Sequence, residues 1–330
     1  MKQENPYTLS TLAGMSAEKL IEGLETRKLS ILKCAGGRKQ RIEMFGVGLL
    51  CRFVLAMARV FSGGGNKAKD IMKMRKKLAD FLKWAAPYKI EGKPDRKAKC
   101  LVMGFNHPSL GEVIRFVHVH LRRFPDRYSL FPVNLPWYEA LAPKSDILFQ
   151  MGIVLVPILT PSTMKKLKER LSKSDIDALT GIKDRFNNHY MSTIKKMALE
   201  DRCVIWVAPS ATRQATLFND ANEKNDISRI GTQTMTLLAL TLKRAKVSDC
   251  EFVPVGVAPS KKCGRGLNLR KEYRLSFAPS MDWPEVERNL DTKSTRHRGN
   301  MMEHSFLTRI SWALSRLGRH DLVCSYKEAS

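Results

Sequence analysis

The sequence predicts an α/β fold with a mostly parallel central sheet flanked by helices and with a helical N-terminal domain. From Lys99 onward, short apolar runs alternate with longer helical patterns, as in successive βαβ units. The first of these runs, residues 101–105, is apolar enough for a strand buried in a sheet. The residues before it show helical patterns. We therefore expect a helical domain over residues 1–88 and an α/β domain over residues 89–330.

The N-terminal region begins with a polar segment, and a helix is expected from Ser16. Residues 42–61 form the most apolar window of the chain. About 20 apolar residues can span a bilayer. However, Glu43, Arg52 and Arg59 lie inside this window, and charges near the centre of a membrane are costly. A helix in the membrane interface, or one buried against other helices, fits better.

Residues 67–86 predict a basic amphipathic helix. Its apolar side chains recur at helical spacing on one face: Ile71, Met74, Leu78, Phe81 and Leu82. Lysines and Trp84 surround this face. The pattern is typical of a helix that lies on a membrane surface, and equally of a bundle helix with a solvated basic face. Contact with an anionic membrane surface is therefore one of two open expectations.

Six strand candidates follow in the α/β part, at residues 101–105, 128–133, 153–158, 203–208, 251–257 and 272–277. Helical patterns occupy residues 109–123, 163–172, 182–200, 228–246 and 301–317. The charged stretch 160–200 predicts a helical insertion between two strands, and the polar stretch 286–300 is expected to be mobile. Pro254 interrupts the fifth strand candidate, which favours an edge or another special position, because proline donates no ladder hydrogen bond.

The charge of the chain is strongly unbalanced. Its 330 residues include 57 Lys and Arg against 32 Asp and Glu, which gives a formal net charge of +25. Such a field favours nucleic acid, anionic lipid headgroups or an acidic protein as partner. The hydrophobic share of 43% and the charged share of 27% exclude a disordered or a transmembrane composition.

The cysteines and the N-terminal residues indicate the cellular compartment of the protein. Seven cysteines are spread along the chain without any C-x-x-C spacing. We expect them to be reduced and structural, in a reducing compartment, and we expect no metal site. The first thirty residues are polar and contain four glutamates, so no signal peptide is expected. These patterns favour a cytoplasmic protein with peripheral membrane association.

The most informative stretch joins the first strand candidate to the helix after it. His107 is expected at the carboxyl end of the strand, and Glu112 lies five residues later in the first helical turn. Ligands bind at this strand end in open α/β sheets. A carboxylate there can hold an imidazole so that its other nitrogen acts as a general base. Ser109 and Glu112 also form a capping box, in which the carboxylate bonds to backbone instead. The stretch alone leaves both roles open.

A second strand end carries a positive charge. The strand candidate at 203–208 runs into the small-residue turn Pro209-Ser-Ala-Thr-Arg-Gln214. The guanidinium fork of Arg213 suits a phosphate or a carboxylate, and Ser210 and Thr212 add hydroxyl donors. Taken alone, an arginine at a strand end is more often a solvated loop residue, so both interpretations stand.

In this order, the blocks resemble the glycerolipid acyltransferases that carry a histidine–four residues–aspartate motif. The segment Asn106-His-Pro-Ser-Leu-Gly-Glu112 matches the first motif, with glutamate in place of aspartate. Val207-Ala-Pro-Ser-Ala-Thr-Arg213 is similar to the third block, and most similar to the Ile-Ala-Pro-Ser-Gly-Gly-Arg of the plastid-type soluble glycerol-3-phosphate acyltransferases. Phe252-Val-Pro-Val-Gly256 is similar to the fourth block, and Gln150-Met-Gly-Ile-Val-Leu-Val-Pro157 resembles a plastid-type strand segment. The resemblance covers residues 90–260.

The resemblance implies an acyltransferase of phospholipid biosynthesis. His107 would deprotonate an acceptor hydroxyl, Glu112 would orient His107, and Arg213 would hold the acceptor phosphate. Further substrate-binding candidates are Asn106, Ser109, Ser210 and Thr212. The acyl donor would be acyl-CoA or acyl carrier protein, and no metal or bound cofactor is implied. The helical N-terminal domain of the plastid type would correspond to residues 1–88.

The chain departs from the family pattern at several positions. Glu112 is one methylene longer than the usual aspartate. Pro161-Ser-Thr163 stands where the plastid type has Lys and His, and Ala215 stands where it has a second arginine. The acceptor is therefore left open between glycerol 3-phosphate, lysophosphatidate and a different hydroxyl or amine.

Two further classes of function have some support in the sequence. A catalytically inactive, lipid-binding relative is an alternative, because the usual aspartate is missing. A basic nucleic-acid-binding protein would explain the charge, but no nucleic-acid motif accompanies it. We therefore expect no nucleic-acid partner.

Overall fold

A computed structural model gives the structure of the chain. It describes residues 7–35, 68–92, 97–107, 111–209, 217, 233–260, 271–291 and 295–323. The chain forms two compact units, one of Met1–Leu78 and Leu130–Ile194, the other of Ala79–Ser129 and Lys195–Ser330. The predicted domain boundary after residue 88 stays a prediction.

The N-terminal part contains helices α1 (Leu9–Ala13), α2 (Ala17–Glu25), α3 (Ile31–Cys34) and α4 (Ala68–Ala85). The strands are β1 (Tyr88–Glu91), β2 (Cys100–Phe105), β3 (Tyr128–Asn134), β4 (Ile153–Ile158), β5 (Cys203–Val207), β6 (Cys250–Pro259) and β7 (Tyr273–Phe277). The later helices are α5 (Gly111–Arg123), α6 (Leu135–Leu141), α7 (Ser145–Gln150), α8 (Pro161–Lys168), α9 (Lys173–Glu200), α10 (Thr234–Arg244), α11 (Trp283–Leu290) and α12 (Thr295–Arg316). Short 3-10 turns cover Ala142–Lys144 and His320–Leu322.

The strands form a seven-stranded sheet in the order β1-β7-β6-β2-β5-β3-β4. β2 pairs in parallel with β5 on one side and with β6 on the other. β7 is antiparallel to β6, and β1 is parallel to β7. Every residue of β2, β5 and β6 is buried, which agrees with their apolar sequences. The predicted α/β class, with a mostly parallel sheet flanked by helices, is confirmed.

The short helices at the start of the chain belong to the hydrophobic core of the first unit. Side chains of α1–α3 share one buried cluster with side chains of α6 and α9: Leu12, Leu20, Ile31, Leu135, Tyr138, Leu179, Ile182 and Phe186. Each of the three helices begins with a hydroxyl N-cap, Thr8, Ser16 or Ser30. The partly buried carboxylate of Glu139 accepts from Ser30 Oγ at 2.7 Å and from the Leu32 amide at 3.0 Å, and desolvation raises its pKa.

Two glycines let helix α12 lie directly against the sheet in the second unit. A Cβ on Gly104 of β2 would lie 2.4 Å from the ring of Phe306. A Cβ on Gly256 of β6 would lie 2.8 Å from Ala313 Cβ and 2.9 Å from the backbone nitrogen of Leu314. Real Cβ atoms do not approach other atoms this closely, so both positions require glycine at this helix–sheet distance.

The predicted elements differ from the observed ones at a few places. Strand β1 was not predicted, and helix α9 begins at Lys173 rather than at residue 182. The polar stretch 286–300 was not predicted as helix, but the part that the structure describes is mostly helical, and its expected mobility stays a prediction. Residues 283–290 form α11, whose N-cap Asp282 accepts from the Glu285 amide at 2.9 Å, and α12 begins at Thr295. The helical insertion between two strands is confirmed as α8 and α9.

Pro254 occupies a special position rather than an edge. β6 lies between β2 and β7, so the expectation of an edge strand is wrong. β7 ends at Phe277, which faces Val255, and the chain then leaves the regular ladder. The carbonyl of Pro254 accepts from the Ala278 amide at 3.0 Å just beyond this point. Because the regular ladder with β7 has ended there, the missing amide proton of Pro254 costs little stability.

Within the described residues, no helix combines the length and the apolar character needed to cross a membrane. The apolar window 42–61 lies outside these residues. Its expected placement in a membrane interface or in a helical core therefore stays a prediction.

Candidate active site

Three parallel strands bring the sequence motifs to one edge of the sheet. β5, β2 and β6 lie side by side, with Gly104 paired to Val207 and Phe105 paired to Val255. β2 and β5 therefore end nearly level, whereas β6 continues to Pro259. His107 follows the end of β2, and Pro209 follows the end of β5. This edge is the usual position for ligands in an open α/β sheet.

The amide of Asn106 fastens the end of β2 to β6. Its Nδ2 donates to the Val257 carbonyl at 2.8 Å, and its Oδ1 accepts from the Val257 amide at 2.7 Å. The side chain is buried, and both of its polar atoms are used in these bonds. The backbone that enters His107 is thereby fixed relative to β6. A direct role of Asn106 in substrate binding stays a prediction.

His107 and Glu112 form a close side-chain pair. The Nδ1 atom of His107 lies 2.5 Å from Oε1 of Glu112. The glutamate side chain is 0% exposed, whereas the histidine side chain is 16% exposed. A buried carboxylate needs a hydrogen-bonding partner, and the imidazole supplies one. A proton on Nδ1, shared with the carboxylate, leaves a lone pair on Nε2.

Aromatic packing sets the orientation of helix α5, which carries Glu112. Phe116 lies one turn after Glu112, and its ring centroid is 4.3 Å from that of Phe105 on β2. The same ring stacks on Trp206 of β5, with a centroid distance of 4.6 Å. The helix is thus held against both strands by Phe116, and its first turn faces the end of β2. This packing explains why a glutamate five residues after His107 reaches the imidazole.

Arg115 is a residue of this region that the sequence analysis missed. Its side chain is fully buried, and its guanidinium carbon lies 3.8 Å from the ring centroid of Tyr273. Nε donates to the Pro87 carbonyl at 3.2 Å, and Nη2 donates to the Lys271 carbonyl at 2.5 Å. These bonds tie α5 to the chain just before β1 and β7. One indication of its burial was present in the sequence: Arg115 is the only charged residue in the apolar helical run 113–117.

Several predicted site residues lie outside the described residues. These are Ser109, Ser210, Thr212 and Arg213. The capping-box alternative for Glu112 involves Ser109, so only its carboxylate half is described. Pro209 precedes the segment that carries the other three, and its carbonyl accepts from Thr234 Oγ1 at 2.8 Å. That segment therefore departs from the same edge as His107, and its part in binding stays a prediction.

The two histidines of α5, His118 and His120, are core residues. Nδ1 of His120 lies 2.8 Å from Ser129 Oγ, which also accepts from Trp206 Nε1 at 3.0 Å. His118 is buried edge-on against the ring of Tyr88, and burial lowers the pKa of His118 to about 4. In the part of the chain that the structure describes, no group of His, Cys, Asp and Glu could hold a metal ion.

The described cysteines lie away from this site. Cys100, Cys203 and Cys250 are buried at the amino ends of β2, β5 and β6, whereas His107 follows a carboxyl end. Cys34 is partly buried in α3. All four are free thiols. Their positions agree with the expected structural role.

Solved structures with a distant likeness to this chain include an acyltransferase. The chain is similar to the crystal structure of the 1-acyl-sn-glycerophosphate (LPA) acyltransferase PlsC from Thermotoga maritima, with 11% sequence identity and a TM-score of 0.38. The alignment covers 82% of this chain and 97% of that chain. No protein-family model matches the sequence, and no curated protein matches it. The function proposed below therefore rests on the strand-end side chains and on their sequence pattern.

Proposed function

We propose that the chain is an O-acyltransferase that moves a fatty acyl group from a thioester to a glycerolipid-type acceptor, glycerol 3-phosphate or lysophosphatidate. The observation that carries the proposal is the contact of His107 Nδ1 with the buried carboxylate of Glu112 at the carboxyl edge of the sheet. A histidine held in this way is suited to act as a general base. We propose acyl transfer as the reaction because the sequence motifs occur in the order seen in the acyltransferases that they resemble.

In the proposed reaction, Nε2 of His107 takes the proton of the acceptor hydroxyl while the oxygen attacks the thioester carbonyl carbon. The carbon–sulfur bond breaks as the tetrahedral intermediate collapses. His107 then returns the proton to the leaving thiolate. Glu112 keeps the imidazole in one orientation and stabilises the positive charge that develops on it. The products are the acyl ester and the free thiol of coenzyme A or acyl carrier protein.

The acceptor is proposed to bind beside the end of β5. Arg213 would hold its phosphate through a bidentate contact, and Ser210 and Thr212 would add hydroxyl donors. The position of Pro209 supports this assignment, because the segment with these residues begins at the same sheet edge as His107. Ser109 and Asn106 complete the proposed set. No step is assigned to a metal or to a bound cofactor.

Helix α4 supports the proposed contact with an anionic membrane. Lys73, Lys76 and Lys77 are exposed on this helix. Met72 is 55% exposed and Trp84 is 78% exposed, although both are large apolar side chains. Apolar side chains that enter the headgroup region beside lysines that meet anionic lipids are typical of a membrane-surface helix. We propose peripheral association with the cytoplasmic face of a membrane, from which a lipid acceptor can be taken.

A thioester-release assay tests the proposal. The purified chain is incubated with acyl-CoA or acyl carrier protein thioester and with one acceptor at a time: glycerol 3-phosphate, lysophosphatidate, a neutral alcohol or an amine. The proposal predicts thiol release that depends on a phosphorylated glycerolipid acceptor. Thiol release only with the amine or only with the neutral alcohol would show that the enzyme uses another class of acceptor. Absence of release with every acceptor would favour an inactive lipid-binding relative.

A further inference from the structure

Arg115 of α5 is a buried arginine to which the proposed reaction assigns no role. The residue is 0% exposed. Its Nε donates to the Pro87 carbonyl at 3.2 Å, and its Nη2 donates to the Lys271 carbonyl at 2.5 Å. Burial of a charged group is costly unless hydrogen bonds compensate it. An apolar side chain could fill a contact between helix and sheet without that cost, so the bonds of Arg115 to fixed points of the backbone need a further reason.

The two carbonyls lie where β1 and β7 begin. Pro87 immediately precedes β1, and Lys271 lies two residues before Tyr273, the first residue of β7. The Pro87 carbonyl also accepts from the Tyr273 amide at 3.1 Å, so Arg115 bonds to the point at which the two strands meet. Phe116, the next residue of α5, packs instead on aromatic rings of β2 and β5. The helix is therefore anchored to the sheet in two different places.

Glu112 projects from the helix between these two anchors. Because an α-helix turns by about 100° per residue, the direction of Glu112 lies roughly 60° from that of Arg115 and roughly 40° from that of Phe116, on opposite sides. One anchor alone would allow α5 to roll about its axis, whereas anchors on both sides of Glu112 prevent this. The Glu112 carboxylate is fully buried, with Oε1 2.5 Å from Nδ1 of His107. Such a bond weakens steeply when its geometry changes.

We infer that Arg115 is a positioning residue for the general base: it fixes the rotation of α5 and thereby holds the carboxylate of Glu112 on the imidazole of His107. Where it concerns catalysis, the inference rests on the proposed function. It predicts an effect on the rate of the chemical step and little effect on the binding of either substrate, because Arg115 acts through Glu112.

Steady-state kinetics of the full chain test the inference. Arg115→Met keeps an unbranched side chain but removes the hydrogen-bond donors. Arg127→Met is the matched control, because Arg127 is also buried but donates to the Lys99 carbonyl, at the amino end of β2. We expect Arg115→Met to lower kcat about 10- to 100-fold, since misplacement by about 1 Å can cost 100-fold in rate. The KM values for acceptor and donor should change little. Arg127→Met should lose stability but keep kcat, measured at a temperature where every variant is folded.

A double-mutant comparison separates positioning from general destabilisation. If Arg115 acts through Glu112, Arg115→Met should lower kcat little further in the Glu112→Gln background. Full additivity of the two changes, or an equal loss of kcat in Arg127→Met, would overturn the inference. If Arg115→Met does not fold, Arg115→Lys replaces it, because one ammonium group cannot hold both carbonyls as the guanidinium fork does. An unchanged kcat in Arg115→Lys would then overturn the inference.

Nuclear magnetic resonance of the full chain with ¹⁵N-labelled histidine gives a readout that needs no activity. The signal of the Nδ1 proton of His107 is assigned by its loss in His107→Ala. We expect this proton to be protected from exchange with water in the wild type and in Arg127→Met, and to lose its protection in Arg115→Met. Unchanged protection in folded Arg115→Met, or absence of the signal from the wild type, would overturn the inference. If the wild-type protein transfers no acyl group, the proposed function fails, and the spectra still decide whether Arg115 holds Glu112 on His107.

Discussion

His107 and Glu112 meet side chain to side chain, with Nδ1 of the histidine 2.5 Å from Oε1 of the glutamate. This contact joins the end of β2 to the first turn of α5. The glutamate, one methylene longer than the aspartate of the acyltransferase motif that this stretch resembles, does not prevent the contact. A capping glutamate would instead direct its carboxylate at the backbone N–H of the N-cap residue. The two roles of Glu112 make different predictions for substitution.

Glu112→Gln should impair catalysis far more than stability. The amide keeps the size of the side chain and the capping ability, but it no longer stabilises a positively charged imidazole. We expect kcat to fall at least about 100-fold, as when the orienting carboxylate of a histidine is neutralised. Glu112→Asp restores the residue usual in the family and should retain more activity. The measurements are kcat and the melting curve of each variant. Full activity of Glu112→Gln would refute the orienting role.

Gly256→Ala should destabilise the protein because the new methyl group meets backbone. It would lie 2.9 Å from the nitrogen of Leu314, which cannot rotate away. We expect a loss of about 1–3 kcal/mol in the free energy of unfolding, measured by urea denaturation. Gly181→Ala in α9 is the control, because its Cβ would meet only Arg185 Nη1 at 3.5 Å. That change should be neutral or stabilising. Equal stability of the two variants would contradict the close helix–sheet contact.

His118 should make stability depend on pH in the acid range. Burial lowers its pKa to about 4, and the positive charges of Arg122 and Lys83 act in the same direction while Asp80 opposes them. The unfolded chain takes up a proton near the usual pKa of about 6.5, so it binds more protons than the folded chain between pH 6.5 and 4. Stability should therefore fall as the pH falls through this range. His118→Phe keeps a ring against Tyr88 and should flatten the profile. An identical profile in the variant would contradict the buried neutral histidine.

The sequence predicted the strands best where a continuous apolar run marks a strand that is buried on both faces. The continuous apolar runs of β2, β5 and β6 correspond to strands that are buried throughout. β1 was missed because none of its four residues is buried: Lys89 is exposed, and Tyr88, Ile90 and Glu91 are partly buried. Helix α11 was missed because its other residues are mostly polar, although three buried side chains, Trp283, Val286 and Leu290, recur at helical spacing.

The candidate site was predictable to the extent that it depends on spacing. A strand end followed five residues later by the first helical turn brings His107 to Glu112, and that proximity follows from local structure. Arg115 was not predictable in the same way. Charged residues in helices usually face water, and only tertiary contacts with residues more than 25 positions away bury this one.

The membrane contact of α4 predicts a charge-dependent association. Changing Lys73, Lys76 and Lys77 to Gln should weaken binding to phosphatidylserine vesicles roughly 100-fold at low salt, since each lysine contributes about 1 kcal/mol. Arg75 of the same helix is buried and therefore stays unchanged in this variant.

Vesicle flotation at varied phosphatidylserine and salt gives the measurement. The control variant changes the same number of exposed lysines on α8: Lys165, Lys166 and Lys168. It should bind more tightly than the α4 variant. Failure of the wild-type protein to float with anionic vesicles at low salt, while it remains active on soluble substrates, would exclude the membrane contact. An acidic acyl carrier protein would then be the partner to test.

The central claim is that His107 is the general base of acyl transfer, and His107→Ala tests it most directly. The change takes the imidazole from the fully buried carboxylate of Glu112, so the thermal midpoint should fall, and activity is compared at a temperature where both proteins are folded. Acceptor-dependent thiol release should fall about 100- to 10,000-fold. Release within a few-fold of the wild-type rate in the folded variant would contradict the assignment.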